Sequence, residues 1–418
     1  MPAHRMNSSL TLPTELLTEI FQLCDPDLAD RDVRYASDIP LMQEHPWLLT
    51  RVCQRWRALA LSTPWLWRYI DVNISLHSAG VLQLVSLFLE RSSPCPITLR
   101  LTGLNWYSNT LVLERLISAS DRWEHLKLLG SVSMVDALES VRGKLPQLRC
   151  LETDVSEMEW GSRPRVIDLF ADAPRLRRAV TLRRYGVSYI LPWQQLVNYK
   201  GPMLNDLEAT LERLTKFSRL VTLDMSRTSS EYSESTTEYP IVHLPHLRTL
   251  SLRTWSTDPD DVINHLCLPA LVSMTIDCSS VDICGAITAL VDRSHCTIES
   301  ITLALEMDEE MDTSLILVLA STPQLKHLVL EASHFSDDLL IGLTPPNVLV
   351  PRLETLELRD GKFDQNLLLE MVEARFASGE GALRRLGLSL DVNDIQHELV
   401  RRMDVLIDLG FIVERLQN

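Results

Sequence analysis

The chain has 418 residues, 45% of them hydrophobic and 23% charged, and a net charge of −16. This is not a disordered composition, and the length suits two or three domains or one elongated repeat array. The acidic balance argues against a nucleic-acid partner, which needs clustered Lys and Arg, and against an anionic membrane surface.

The opening residues MPAHRMNSSL lack the apolar core of a secretory signal, and no apolar run approaches the roughly 18–20 residues that span a bilayer. Eight cysteines are scattered along the chain: Cys24, Cys53, Cys95, Cys150, Cys267, Cys278, Cys284 and Cys296. Most sit in apolar patterns, as small core residues do, which predicts reduced thiols and a cytoplasmic or nuclear protein.

The first predicted element is LPTELLTEIFQLC, residues 12–24. Pro13 suits a first helical turn, and Glu15 suits the positive end of the helix dipole. Leu16, Ile20 and Leu23 form one stripe, Leu17 and Phe21 the adjacent one. A polar stretch, Asp25–His45, follows. After Pro46 a second helix is expected, with Leu49, Val52, Cys53, Trp56, Leu59 and Ala60 on one face. Ser62-Thr63-Pro64 stops it, and Trp65 and Trp67 come next.

Beyond this point a pattern P-x-L-x-x-L-x-L recurs, clearest at Pro146, Pro245, Pro269, Pro323 and Pro351. Its middle apolar position falls at Leu99, Leu126, Leu151, Ala179, Leu223, Leu250, Met274, Ile301, Leu328, Leu356 and Leu386. The long step from Ala179 to Leu223 hides one more copy, centred near Tyr199. About twelve units at a period near 26 lie in the range of leucine-rich repeats. In L-x-L both leucines share one face of a short strand, and that row is buried only if neighbouring units stack. Between strands the spacing turns helical, as in Leu204, Leu207, Leu211 and Leu214, in Ile283, Ile287, Leu290 and Val291, and in Leu315, Val318 and Leu319. The position that holds Asn in regular leucine-rich repeats holds Ser131, Ser156, Thr228, Ser279 and Ser333, which predicts uneven curvature. A last helix, Asp394 to Leu409, ends at Gly410 and caps the array. A doubly wound enzyme fold would need a Gly-rich turn after a strand; G-x-G-x-x-G, G-x-x-x-x-G-K-[ST] and G-x-S-x-G are all absent from the sequence.

Cys267, Cys278, Cys284, His295 and Cys296 match no C-x₂₋₄-C metal spacing and are expected to be core thiols, with no cofactor. The Ser/Thr/Glu-rich stretch 226–240 and the acidic run Glu306–Asp312 are expected to be solvated loops. Side chains pointing to the open face of the strands include Arg100, Lys127, Glu152, Asp154, Asp224, Ser251, Arg253, Asp277, Glu331, Glu357 and Arg359. Trp106, Trp160 and Trp255 follow strands and are candidate anchors.

The N-terminal residues Leu12-Pro13-x-Glu15-Leu16-Leu17-x-x-Ile20-Phe21, then Val52-Cys53-x-x-Trp56-Arg57-x-Leu59-Ala60, then Pro64-x-Leu66-Trp67, resemble an F-box. With the repeats behind it, the chain is similar to fungal F-box proteins carrying leucine-rich repeats. The resemblance implies an F-box module over residues 10–72, with a polar insertion at 25–45. It implies an α/β leucine-rich-repeat solenoid over 73–418, with parallel strands on the concave face, helices outside and a cap at about 394–418. It also implies a non-catalytic substrate receptor of an SCF (cullin–RING) ubiquitin ligase. The Skp adaptor would be bound by Leu12, Pro13, Leu16, Ile20, Phe21, Val52, Cys53, Trp56, Leu59, Trp65 and Trp67. A target protein would be bound by Arg100, Lys127, Glu152, Asp224, Arg253, Trp255, Glu331 and Arg359. The alternative is a repeat scaffold whose F-box works outside a ligase.

Overall fold

The structure is a computed structural model. It describes residues 12–23, 46–75, 80–103, 109–156, 165–182, 187–204, 206–227, 239–254, 259–278, 283–305, 309–346, 349–377, 383–389 and 397–415. Among these the chain is α/β with extensive parallel sheet, and it divides into two compact units, 1–193 and 194–418. No helix among the described residues is long and apolar enough to cross a membrane.

The first unit begins with helices α1 (Thr14–Leu23) and α2 (Gln54–Leu61), then strand β1 (Tyr69–Asn73). There follow α3 (Val81–Arg91), β2 (Ile97–Gly103), α4 (Thr110–Ile117), β3 (Trp123–Ser131), α5 (Val132–Ala137), β4 (Cys150–Ser156), β5 (Arg165–Ile167), β6 (Arg178–Thr181) and β7 (Val187–Tyr189). β1, β2, β3, β4 and β6 pair in that order, all parallel, while β5 and β7 form a separate parallel pair.

The second unit runs β8 (Asn198–Pro202), α6 (Leu207–Thr215), β9 (Thr222–Arg227), β10 (Val242–His243), β11 (Thr249–Thr254), α7 (Asp260–Asn264), β12 (Leu266–Cys267), β13 (Ser273–Cys278) and α8 (Ile283–Ser294). It continues β14 (Ser300–Leu305), α9 (Glu309–Ser321), β15 (His327–Glu331), α10 (Asp337–Gly342), β16 (Thr355–Arg359), α11 (Gln365–Ala377), β17 (Arg385–Leu388), α12 (His397–Asp408) and β18 (Ile412–Arg415). Its parallel sheet has the order β8-β9-β11-β13-β14-β15-β16-β17-β18, with β10 and β12 as a minor pair. Parallel neighbours taken in sequence order need a crossover at every step, and right-handed crossovers put their helices on one face.

The apolar ruler is the sheet register. Leu99, Leu126, Leu151 and Ala179 stand side by side in the first unit. Tyr199, Leu223, Leu250, Met274, Ile301, Leu328, Leu356 and Leu386 do so in the second. All are buried, while the residue between each pair of ruler positions is half-exposed in most strands, so one sheet face is core and the other is open. The helical stripes Ile283, Ile287, Leu290 and Val291 of α8 and Leu315, Val318 and Leu319 of α9 are likewise buried.

The recurring proline has a local reason. In Thr322-Pro323-Gln324-Leu325 the Leu325 amide donates to the Thr322 carbonyl at 3.1 Å, and Leu353 repeats this to Val350 at 3.1 Å. Proline at the second position of such a turn is preset by its fixed φ. The leucine that closes the turn is buried, and the next amide starts the ladder: Lys326 donates to the Glu299 carbonyl at 2.8 Å and Glu354 to that of Lys326 at 2.8 Å.

Two expectations are revised. Tyr69–Asn73, which straddles the expected end of the helical segment at 72, is a strand, with Ile70 and Val72 buried and Ile70 beside Leu99. Among the described residues the helix of the expected cap, α12, is not the last element: it stops before Gly410, whose φ of +97° turns the backbone, and β18 then adds Val413 beside Leu386. Positive φ at this point is a conformation in which glycine carries no penalty.

Candidate docking site

α1 is set by its neighbours in sequence. The Leu17 amide donates to the Pro13 carbonyl at 3.2 Å, and Thr18 Oγ1 to that of Thr14 at 2.9 Å. Leu17 and Phe21, one turn apart, are wholly buried. The neighbouring stripe is not: Leu16 is 43% and Leu23 88% exposed, with Ile20 half-buried between them.

The expected single helix after Pro46 is two pieces. A 3₁₀ turn, Leu49–Arg51, is followed by Cys53 in an extended conformation (φ −158°), whose Sγ accepts from the Trp56 amide at 3.4 Å and caps α2. The break splits the expected apolar stripe. Leu49 and Ala60 face the core, while Leu48 and Val52 are each 56% exposed.

An aromatic mortar joins these helices to the first repeat. Phe21 meets Trp56 edge-on at 5.1 Å. Trp67 is wholly buried, donates from Nε1 to the Ala60 carbonyl at 2.8 Å, and packs on Trp47 and Phe88, each at 5.1 Å. Arg91 lies over the Trp67 ring at 4.3 Å. Arg55 reaches back to the Leu12 carbonyl.

The residues expected to bind an adaptor therefore separate. Pro13, Leu16 and Val52 are exposed, and Leu12, Ile20, Cys53, Trp56, Leu59 and Trp65 are half-buried. Phe21 and Trp67 offer no surface, because the chain itself covers them: here the structure corrects the sequence reading. Leu23, Leu48 and Trp47 belong to the exposed or half-buried surface and were missing from the expected set; Leu48 immediately precedes the 3₁₀ turn, where helical spacing gives no signal. Between Trp47, Thr50, Arg51, Cys53, Gln54 and Arg57 lies a groove of about 550 Å³.

On the open sheet face, several of the charges expected to meet a target form ion pairs with one another or with neighbouring strands. In the first unit Arg100 pairs with Asp71 at 3.7 Å, and Glu152 lies 3.2 Å from Lys127 and 3.6 Å from Arg178. In the second, Asp224 takes Lys200 at 3.0 Å and Arg253 at 2.9 Å, and Arg359 takes Glu357 at 2.6 Å. Glu331 is exposed, in register beside Arg359. Trp255, with Trp106, Trp160, Cys24, the 25–45 stretch, Thr228, Ser279, residues 228–238 and Glu306–Asp308, lies outside the described residues.

Among the described residues no group of three or more His, Cys, Asp or Glu could hold a metal ion. Cys278 and Cys284 are buried, and burial, then the neighbouring Cys278, pushes the Cys284 thiol up to about 12. Burial likewise raises Cys296. A thiol held protonated is a poor nucleophile and a poor ligand.

Sequence reasoning also missed a recurring arginine. Arg122 Nη1 donates to the Leu89 carbonyl at 3.2 Å and Nη2 to Ser92 Oγ at 2.7 Å. Arg293 donates to the carbonyls of Leu266 (2.8 Å) and Ile263 (2.9 Å). Buried Arg375 donates to those of Leu343 (2.6 Å), Leu349 (2.6 Å) and Val350 (3.2 Å). Each reaches back to carbonyls at the end of the preceding helix or in the segment that follows it. No known family model matches the chain, and no curated protein matches it.

Proposed function

We propose that the chain is a non-catalytic substrate-recognition subunit of an SCF-type ubiquitin ligase, working in the cytoplasm or nucleus. Residues 12–67 are read as an F-box that docks a Skp-family adaptor, and the parallel repeats as a leucine-rich-repeat solenoid that holds a target protein. The observation that carries the reading is the unequal burial of one short helical segment. Leu17, Phe21, Ala60 and Trp67 are spent on the chain's own core, while Leu16, Leu23, Leu48 and Val52 stay in water.

Four large apolar groups left exposed within one short helical segment support an interaction surface there. Covering a fully exposed side chain of this size gains roughly 1.5–3 kcal/mol and association must offset about 4–15 kcal/mol of lost freedom, so these partly exposed groups contribute to docking together with the half-buried Leu12, Ile20, Trp47 and Trp65. In this role ubiquitin transfer is accelerated by holding the target near the loaded enzyme, a matter of effective concentration, not of side-chain chemistry in this chain.

The test is co-purification of the full chain with a Skp-family adaptor. Leu16→Glu with Val52→Glu is expected to abolish capture while leaving the urea midpoint unchanged, since both residues are exposed. Capture by the double variant equal to that of the parent would remove the adaptor reading.

A further inference from the structure

The groove beside α2 is positively charged in a chain of net charge −16. Residues 46–68 contain four arginines and no Asp or Glu. Arg51 and Arg57 line the groove and are exposed, and neither has an ion-pair partner among the described residues. Arg91 stacks over Trp47, a groove residue, at 5.8 Å. Burial first, and then the like charge of Arg57, pull the Arg91 guanidinium below its ordinary pKa. Two donors stand buried with no hydrogen-bond partner among the described residues: Arg91 Nη1 and Trp47 Nε1. Such groups are costly unless something accepts from them. Like charges near one another, with no ion-pair partner among the described residues, favour an anion in the same way.

The groove's own cations are Arg51 and Arg57, with Arg91 stacked against its Trp47 wall, and Leu48 and Val52, the sequence neighbours of lining residues Trp47, Arg51 and Cys53, are exposed. A single compact anion would use the guanidiniums and leave the apolar groups in water. An amphipathic segment uses both. We infer that this groove docks an acidic, leucine-bearing segment of a partner protein, its carboxylates received by Arg51 and Arg57 and its apolar side chains by Trp47, Leu48 and Val52. The inference deepens the adaptor reading, and rests on it for the partner's identity, not for the chemistry of the groove.

The test uses the full chain and a fluorescein-labelled 18-residue helical peptide with Leu on one face and Glu on the other, compared with the same peptide carrying Gln for every Glu. Fluorescence anisotropy is expected to give at least tenfold tighter binding of the Glu peptide, lost in Arg51→Ala with Arg57→Ala and in high salt, with the urea midpoint unchanged. Equal binding of the two peptides overturns the inference. So does full displacement by millimolar inorganic phosphate, which would mean a compact-anion site, or tighter binding of a poly(U) 15-mer. Self-association of the chain that the double variant abolishes would make a second copy the occupant and overturn it too. If the adaptor binds the parent and the double variant alike, the inference fails and the adaptor reading stands. If the Glu peptide binds as expected and the adaptor does not, the reading fails and the inference stands.

Discussion

The indole of Trp67 donates its only hydrogen bond to the carbonyl of Ala60 at 2.8 Å, and both residues are wholly buried. This contact fixes the end of α2 against the chain that enters the first strand. Trp67→Phe keeps an aromatic ring but leaves the Ala60 carbonyl without that donor and opens a void. The expected loss is about 1–3 kcal/mol, read as a shift of the urea unfolding midpoint. An unchanged midpoint would mean that the two elements are held by something else.

The buried Arg375 makes a sharper case. Its guanidinium serves three carbonyls, and burial pulls its pKa down to about 10. Arg375→Met is expected to cost about 3 kcal/mol, because the Leu343 and Leu349 carbonyls lose their donor at once, while that of Val350 keeps the Leu353 amide. Arg375→Lys should recover only part of this, since an ammonium does not reproduce the planar fork. Urea denaturation of both variants checks the order.

Two glycines should respond in opposite directions to alanine. Gly285 is the third residue of α8, with open space where a Cβ would project. Gly285→Ala is expected to raise stability by about 0.5–1 kcal/mol. At Gly130 in β3 a Cβ would run into the backbone carbonyl of Gly103 in the neighbouring strand. Gly130→Ala is expected to lower stability by about 1–3 kcal/mol. Thermal or urea unfolding of the pair gives the signs.

Much of the repeat region was legible in the sequence because one physical requirement repeats. A strand that buries alternate residues against a stack must place an apolar side chain at the same height in every unit, so Leu250, Met274 and Ile301 announce the register. Tyr199 was found by the same spacing although its unit has no leucine pair. The first and last described strands were missed for different reasons: Leu66, after Pro64, closes the same turn on the Thr63 carbonyl at 3.3 Å, but the apolar pair Ile70 and Val72 stands one residue later than the repeated pattern puts it and carries no leucine, while Val413 has no proline turn ahead of it. The arginine clamps and the cross-strand ion pairs were illegible in a different way. Arg122 and Arg375 reach partners about one repeat back, and nothing local says that a helix end there needs donors. Within the candidate site, stripe spacing predicted the exposed Leu16 but could not tell it from buried Phe21, because only tertiary packing decides which stripe of a short helix meets the core.

The buried thiol of Cys284 gives a pH test. An unfolded thiol titrates near 9.0, and the folded one near 12. Below pH 9 both states hold the proton and the contribution to stability is complete. As pH rises from 9 toward 12 the unfolded chain loses its proton first, so this contribution falls. Cys284→Ala should flatten the stability–pH curve over that window, measured by urea unfolding. In the native protein Cys284 should also resist iodoacetamide at pH 8, while the unfolded chain reacts; mass spectrometry reads both.

Hydrogen–deuterium exchange of the full chain, with and without a purified Skp-family adaptor, shows where a partner sits. The expected result is new protection confined to α1 and to residues 49–61, with the strands of the second unit unchanged. Protection on those strands alone, with α1 and α2 exchanging as before, would contradict the assignment of the N-terminal helices as the docking face.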